Sequence, residues 1–335
     1  MSDTESGGKP SIAGVFGPSG TVETFLGLPK VATSDLEASG AKAAVLGVPC
    51  ATPYAATGLY AAKAPKAMRE SAAIEAAATH HFDFDRMAPA VPLGPDGKPL
   101  IVDCGDLDYD AEDHAANRAR ISKAVSDILA AGAVPIVLGG DDSSGIPILQ
   151  GYADDAAENG PLTVLQIDAH IDWRDEVNGE RFGLSSPMRR ASEMEWVTGM
   201  VQVGARAVGS ARPSDYEDAV AWGVNFITAA MLHRDGIRAV VDAIPDGSRV
   251  FVNFDLDGLD PSVAPGVIGP SPGGLFMHQA LAILNGVAEK ARIAGFCLVE
   301  FAPDLDRDGQ SAHCAYRLSA LAAAIAAEGA LQAAS

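Results

Sequence analysis

Asp168, His170 and Asp172 occupy every second position of the run DAHID, and Asp255 and Asp257 do the same in DLD. Alternate side chains of extended backbone share a face, so each set aims its polar groups one way. A third cluster, Asp141, Asp142, Ser143 and Ser144, follows IPIVLGG, and Glu300 directly follows GFCLV. Carboxylates crowded into one crevice repel strongly once they leave bulk water, so cations must neutralise them. Several carboxylates with one imidazole suit hard or borderline divalent ions such as Mn²⁺, with Ni²⁺ also admissible. The lack of a thiolate argues against structural zinc. Each piece alone has a plainer reading: Asp141 or Asp260 can cap a helix or hold a turn, and a single DxHxD can be a chance run. Their joint placement at strand ends carries the reading, because ligands of open parallel sheets bind outside the carboxyl ends of the strands. His80 and His81 fall outside the pattern and read as loop or surface histidines, and nothing requires His313 at a site.

The elements that must position these groups are short apolar runs alternating with helical patterns. Ala43–Gly47, 135–138, 163–167, 201–203, 250–254 and 295–299 are charge-free and suit strands covered on both faces. Ile121, Val125, Ile128 and Leu129 recur at helical spacing and stop at Gly132. Ala280, Leu284, Val287 and Ala291 form a second helical face, expected to end at Gly295. Residues 62–79 and 318–332 are Ala-rich and read as helices, whereas 89–99 holds four prolines and reads as a loop. Strand and helix alternating in this way predict an α/β fold with a mainly parallel sheet. Residues 1–20 read as a Gly/Ser/Pro-rich mobile arm, and 21–335 as a single domain without repeat or linker.

The net charge of -20 would repel nucleic acid and anionic membranes and attract cationic small molecules. No run reads as a membrane span, no secretory signal is evident, and four dispersed cysteines without a CxxC pair suit reduced core thiols, so the expected location is the cytoplasm. Gly139, Gly140 and Gly145 lack dinucleotide-binding spacing, and Asp141 and Asp142 beside them would repel a pyrophosphate.

LGGDDS is similar to the GGDHS motif of the ureohydrolases, the family of arginases and agmatinases. DAHID resembles DAHxD, and NFDLDGLDPSVAPG resembles SxDxDxxDPxxAPG. TFLGLP, VQVGAR, SPGGL and LVEFAP extend the likeness in order from about Thr24 to the C-terminus, closest to the agmatinase-like branch. The resemblance implies an arginase-like three-layer α/β/α fold, two divalent ions (Mn²⁺ foremost, Ni²⁺ next), and homo- or hetero-trimers or hexamers of ureohydrolase-type chains. It assigns metal binding to Asp168, His170, Asp172, Asp255 and Asp257, and Asp142, at the place of a ligand histidine, is a sixth metal-binding candidate. Glu300 becomes the carboxylate that holds a substrate guanidinium, and Asp172 and Glu300 the catalytic candidates. In that family hydroxide attacks the guanidinium carbon and urea leaves with an amine.

Two departures from the pattern matter for catalysis. Asp142 stands where the family has histidine, and RFGLSSPMRR places Leu184 where relatives carry a proton-shuttling histidine. Loss of a general acid/base costs about 10²- to 10⁴-fold. Two expectations result. One is a hydrolase of the C–N bond of a guanidino-type compound: guanidine, a substituted guanidine or biguanide, or an agmatine-like cation. The other is a catalytically degenerate subunit that supports an active paralogue in a hetero-oligomer. Specificity is expected on loops 173–190 and beyond Pro265. Arg174, Arg181, Arg189 and Arg190 read as surface or interface ion pairs.

Overall fold

Charge-free β-branched and apolar runs give up backbone to water only if a neighbouring strand takes up their hydrogen bonds, and here they pair into one sheet. The computed structural model describes residues 23–208 and 211–333, so the expected arm at 1–20 lies outside the described residues. The strands are β1 Ala43–Gly47, β2 Phe82–Asp83, β3 Ala88–Pro89, β4 Ile101–Asp106, β5 Val134–Leu138, β6 Leu162–Ile167, β7 Val197–Val203, β8 Asn225–Ile227, β9 Arg249–Asp255 and β10 Arg292–Val299. Eight of them form the order β4-β1-β5-β10-β9-β6-β7-β8, every pair parallel, while β2 and β3 make a separate hairpin.

Alternation along each strand divides the core into two layers. Val45, Ile136, Leu165, Val252, Phe254 and Leu298 face one side, and Ala44, Val137, Val164, Phe251 and Cys297 the other. Helices Ala64–Ala72, Met277–Ala288 and Gln310–Ala333 cover the first side; His114–Ala130 and Gly145–Gln150 cover the second. This is the arginase-like three-layer α/β/α sandwich. The helix from His114 starts where the Asp113 side chain accepts from Ala116 N at 2.9 Å, and it ends before Gly132 in left-handed backbone (φ 75°).

Several expected boundaries shift. The face through Ala280 is a helix only from Met277 to Ala288, and Gly295 lies inside β10. Gly295 is there because the Tyr152 ring packs on the strand: an added Cβ would fall 1.9 Å from the hydroxyl. The last helix begins at Gln310, eight residues before 318. It is also long and apolar enough to cross a membrane by length and composition, against the expectation, but 67% of the qualifying window is buried in the core. Residues 62–79 form a helix to Ala72 and then a 3₁₀ segment to Ala78.

Candidate metal centre

Asp142, the Asp168–Asp172 run, Asp255 with Asp257, and Glu300 follow β5, β6, β9 and β10, which are consecutive in the sheet as β5-β10-β9-β6. With parallel neighbours about 4.8 Å apart, four adjacent strand ends bring their side chains within one small volume. Asp142, His170, Asp172, Asp255, Asp257 and Glu300 line one pocket of about 150 Å³, together with Leu184, Ser185, Ile268 and Gly269. Two triads can each hold a metal ion, Asp168/His170/Asp257 and Asp142/Asp168/Asp255, with the ligand atoms of each within 4.8 Å of one another. Asp168 belongs to both.

Local backbone geometry aims the groups. Asp257 N donates to Asp255 Oδ1 (2.7 Å) in the 3₁₀ turn Leu256–Gly258, Ala169 N to Asp257 Oδ1 (3.1 Å), and His170 N to Asp168 Oδ1 (2.6 Å). Gln166 Nε2, inside β6, donates to both Asp168 Oδ2 (2.7 Å) and Asp172 Oδ2 (2.6 Å). Gln202 on β7 in turn donates to Gln166 Oε1. Glu300 Oε1 accepts from Asp142 N (2.8 Å) and from the Tyr60 hydroxyl. Asp172 and Glu300 both have positive φ, 44° and 66°, a strained conformation that cost confines to functional sites and turns. Gly269 presses on the far side, where an added Cβ would meet Asp257 Oδ2 and His170 Cε1 at 3.1 Å.

The electrostatics follow from crowding. Burial first, then the charge of Asp168, pushes the Asp142 and Asp172 carboxyls well above the usual range. Burial and Asp257 do the same to Asp255, and burial does so to Glu300 against the Tyr60 hydrogen bond. Burial also pushes Asp168 up, but hydrogen bonds from His170 and Asp172 outweigh it and hold the carboxyl low. Burial opposes charge on His170, yet Asp168 and Asp257, 3.4 and 3.2 Å from Nδ1, raise the imidazole to about 11. The site thus draws positive charge from any source. Asp142 Oδ2 is buried with no hydrogen-bond partner, and an acceptor of that kind at the pocket wall fits a cation.

Other expectations resolve plainly. Asp141 accepts from Ser143 Oγ and Ala51 N, away from the pocket lining. Asp260 holds a turn through Ser262 and Gly273. His80 and His81 are exposed, and His313 packs edge-on against Tyr316. Arg174, Arg181, Arg189 and Arg190 pair with Asp215, Asp175, Asp218 and Glu193. Sequence reasoning missed Tyr60, Gln166, Gln202 and Asn253. The two glutamines carried a signal, since a polar residue inside an apolar parallel strand must find a buried partner.

A parallel three-layer sandwich with carboxylates and an imidazole gathered at one strand edge is a ureohydrolase scaffold. The chain belongs to the arginase family, which residues 41–324 match. It is 33% identical over 219 residues to the mitochondrial agmatinase of Gallus gallus, covering 64% of this chain and 63% of that protein, so the match spans less than two thirds of this relative. It is 31% identical over 252 residues to the proclavaminate amidinohydrolase of Streptomyces clavuligerus, covering 73% and 75%. The solved structure of proclavaminate amidino hydrolase from that organism superposes with a TM-score of 0.78 at 26% identity, covering 93% of this chain and 99% of that one.

Proposed function

We propose that the chain is a binuclear-metal amidinohydrolase that cleaves the C–N bond of a cationic guanidino-type compound, releasing urea or a urea derivative and an amine. The carrying observation is the pair of triads that share Asp168 in a pocket also lined by Glu300. Asp142, Asp168, His170, Asp172, Asp255 and Asp257 would hold two divalent ions, Mn²⁺ or Ni²⁺. When bound, such ions supply Lewis acidity and make hydroxide available near neutral pH. Glu300 would bind and orient the guanidinium through charge-assisted hydrogen bonds, with Tyr60 and the Asp142 amide fixing one carboxylate oxygen. Leu184 and Ile268 would offer apolar surface to the substrate beside the charged groups. Residues 21–335 would act as one cytoplasmic domain within a homo- or hetero-trimer or hexamer.

A second reading has its own support. Leu184 and Ser185 line the pocket where a proton-shuttling imidazole would be expected, which favours a degenerate subunit supporting an active paralogue. The two readings part in one assay: urea release from guanidine, substituted guanidines, biguanides and agmatine by the chain purified alone. Turnover alone supports the enzyme. Turnover only in a mixture with a paralogue, unaffected by Asp257→Ala in this chain, rejects it.

A further inference from the structure

Cys297, Asn253 and Asp142 form a line of hydrogen bonds from the core into the pocket. The Cys297 thiol donates to Asn253 Oδ1 (2.8 Å), and Asn253 Nδ2 donates to Asp142 Oδ1 (2.9 Å). A carboxylate that ligates a cation only accepts, so in that role Asp142 faces the NH₂ of Asn253. All three residues are buried. With Oδ1 engaged, the remaining oxygen of Asp142 is the buried, unpartnered one at the pocket wall.

Space for this line is also provided. Gly145 has ordinary right-handed helical backbone (φ -56°), so its conformation does not call for glycine. An added Cβ would stand 2.9 Å from Asn253 Oδ1, closer than carbon and oxygen tolerate. Asp142 and Asn253 both occur where the related motifs GGDHS and SxDxDxxDPxxAPG carry other residues, histidine and serine. Here the altered position has a matching donor, an orienting thiol and a cleared volume.

We propose that Asn253, given room by Gly145 and oriented by Cys297, is a positioning residue that presents Asp142 as a carboxylate ligand to a divalent cation. Asp142 is then a constructed replacement for histidine. This rests on the metal centre of the proposed function and specifies how one of its ligands is held.

The test is Mn²⁺ titration calorimetry on the chelator-stripped, full-length protein. Asn253→Ala is expected to weaken one Mn²⁺ by about 10- to 100-fold, the usual cost of removing a group that orients a ligand. In an Asp142→Ala background the same replacement should change the remaining affinity by less than about twofold, since Asn253 acts through Asp142. Gly145→Ala, which displaces Asn253 without removing it, should weaken the same ion. Asn253→Ser replaces Asn253→Ala if the latter does not fold. Unchanged affinity in Asn253→Ala overturns the proposal. So does an equal loss in both backgrounds, which marks a general structural role, or tighter binding in Asp142→His alone, which marks Asp142 as a lesion. Wild-type protein that binds neither Mn²⁺ nor Ni²⁺ overturns this and the proposed function together. Wild type holding two ions that ignore residue 253 removes only the role of Asn253.

Discussion

Glu300 occupies a left-handed backbone conformation (φ 66°) that costs a non-glycine residue about 1–3 kcal/mol, so its surroundings must hold it there. They do so through Asp142 N and the Tyr60 hydroxyl, both on Oε1. In the proposed role the carboxylate charge holds a planar cation. Glu300→Gln keeps the shape and the contact to Asp142 N but removes that charge. It should lower kcat/KM for a guanidino substrate by roughly 10²-fold, the size of a lost charge-assisted pair, while Mn²⁺ stoichiometry stays the same. Steady-state kinetics with metal analysis check this; unchanged kcat/KM contradicts it. At this scale the sequence was informative where residue types repeat with period two, as in DAHID and DLD. It was silent on Tyr60 and Asn253, because a lone tyrosine or asparagine has no periodicity, and its partners lie 240 and 111 positions away.

The segment between Leu259 and Leu275 carries Ile268 and Gly269 onto the pocket, and Asp260 is its anchor. Its carboxylate accepts from Ser262 Oγ (2.6 Å), Ser262 N (2.9 Å), Gly273 N (2.7 Å) and Gly274 N (3.2 Å). Arg206 grips the same segment through the carbonyl of Ser271 and joins it to Asp257 O, 2.7 Å from Nη2. The Ser262 hydroxyl above all, with the backbone donors, holds the Asp260 carboxyl down at about 2 against an ordinary 3.8. The folded value lies below the unfolded one, so this stabilisation is fully present above about pH 3.8 and is lost as pH falls through about 2. Asp260→Asn should therefore lower the melting temperature at pH 6, and the gap to wild type should shrink as pH falls from about 4 through about 2. A gap as large at pH 2 as at pH 6 contradicts the assignment. Apolar runs made most strands legible, β1 at its observed limits. Besides the two-residue strands β2 and β3, β4 and β8 escaped: β4 ends in polar residues as IVDCGD, and β8 is only three residues long at the sheet edge. The helix after Met277 was drawn too long because Ala291 and Gly295 continue an apolar pattern whose true partner is the sheet.

Across the whole molecule, function depends on strand order. β10, late in the chain, inserts between β5 and β9, and only that insertion sets Glu300 beside Asp142. Local sequence pattern shows that strands exist but does not encode which neighbour each takes, since the central strands here are buried on both faces and alike in pattern. The convergence of the four strand ends was legible from the joint placement of their polar clusters, because the carboxyl ends of a parallel sheet share one edge. The metal count of the chain purified alone tests the central claim most directly. Elemental analysis should find two divalent ions per wild-type chain after Mn²⁺ loading and desalting. Asp168→Ala should retain fewer, because Asp168 belongs to both triads. A folded wild-type chain that retains no divalent ion, or an Asp168→Ala variant that keeps both, would contradict a binuclear centre at this strand edge.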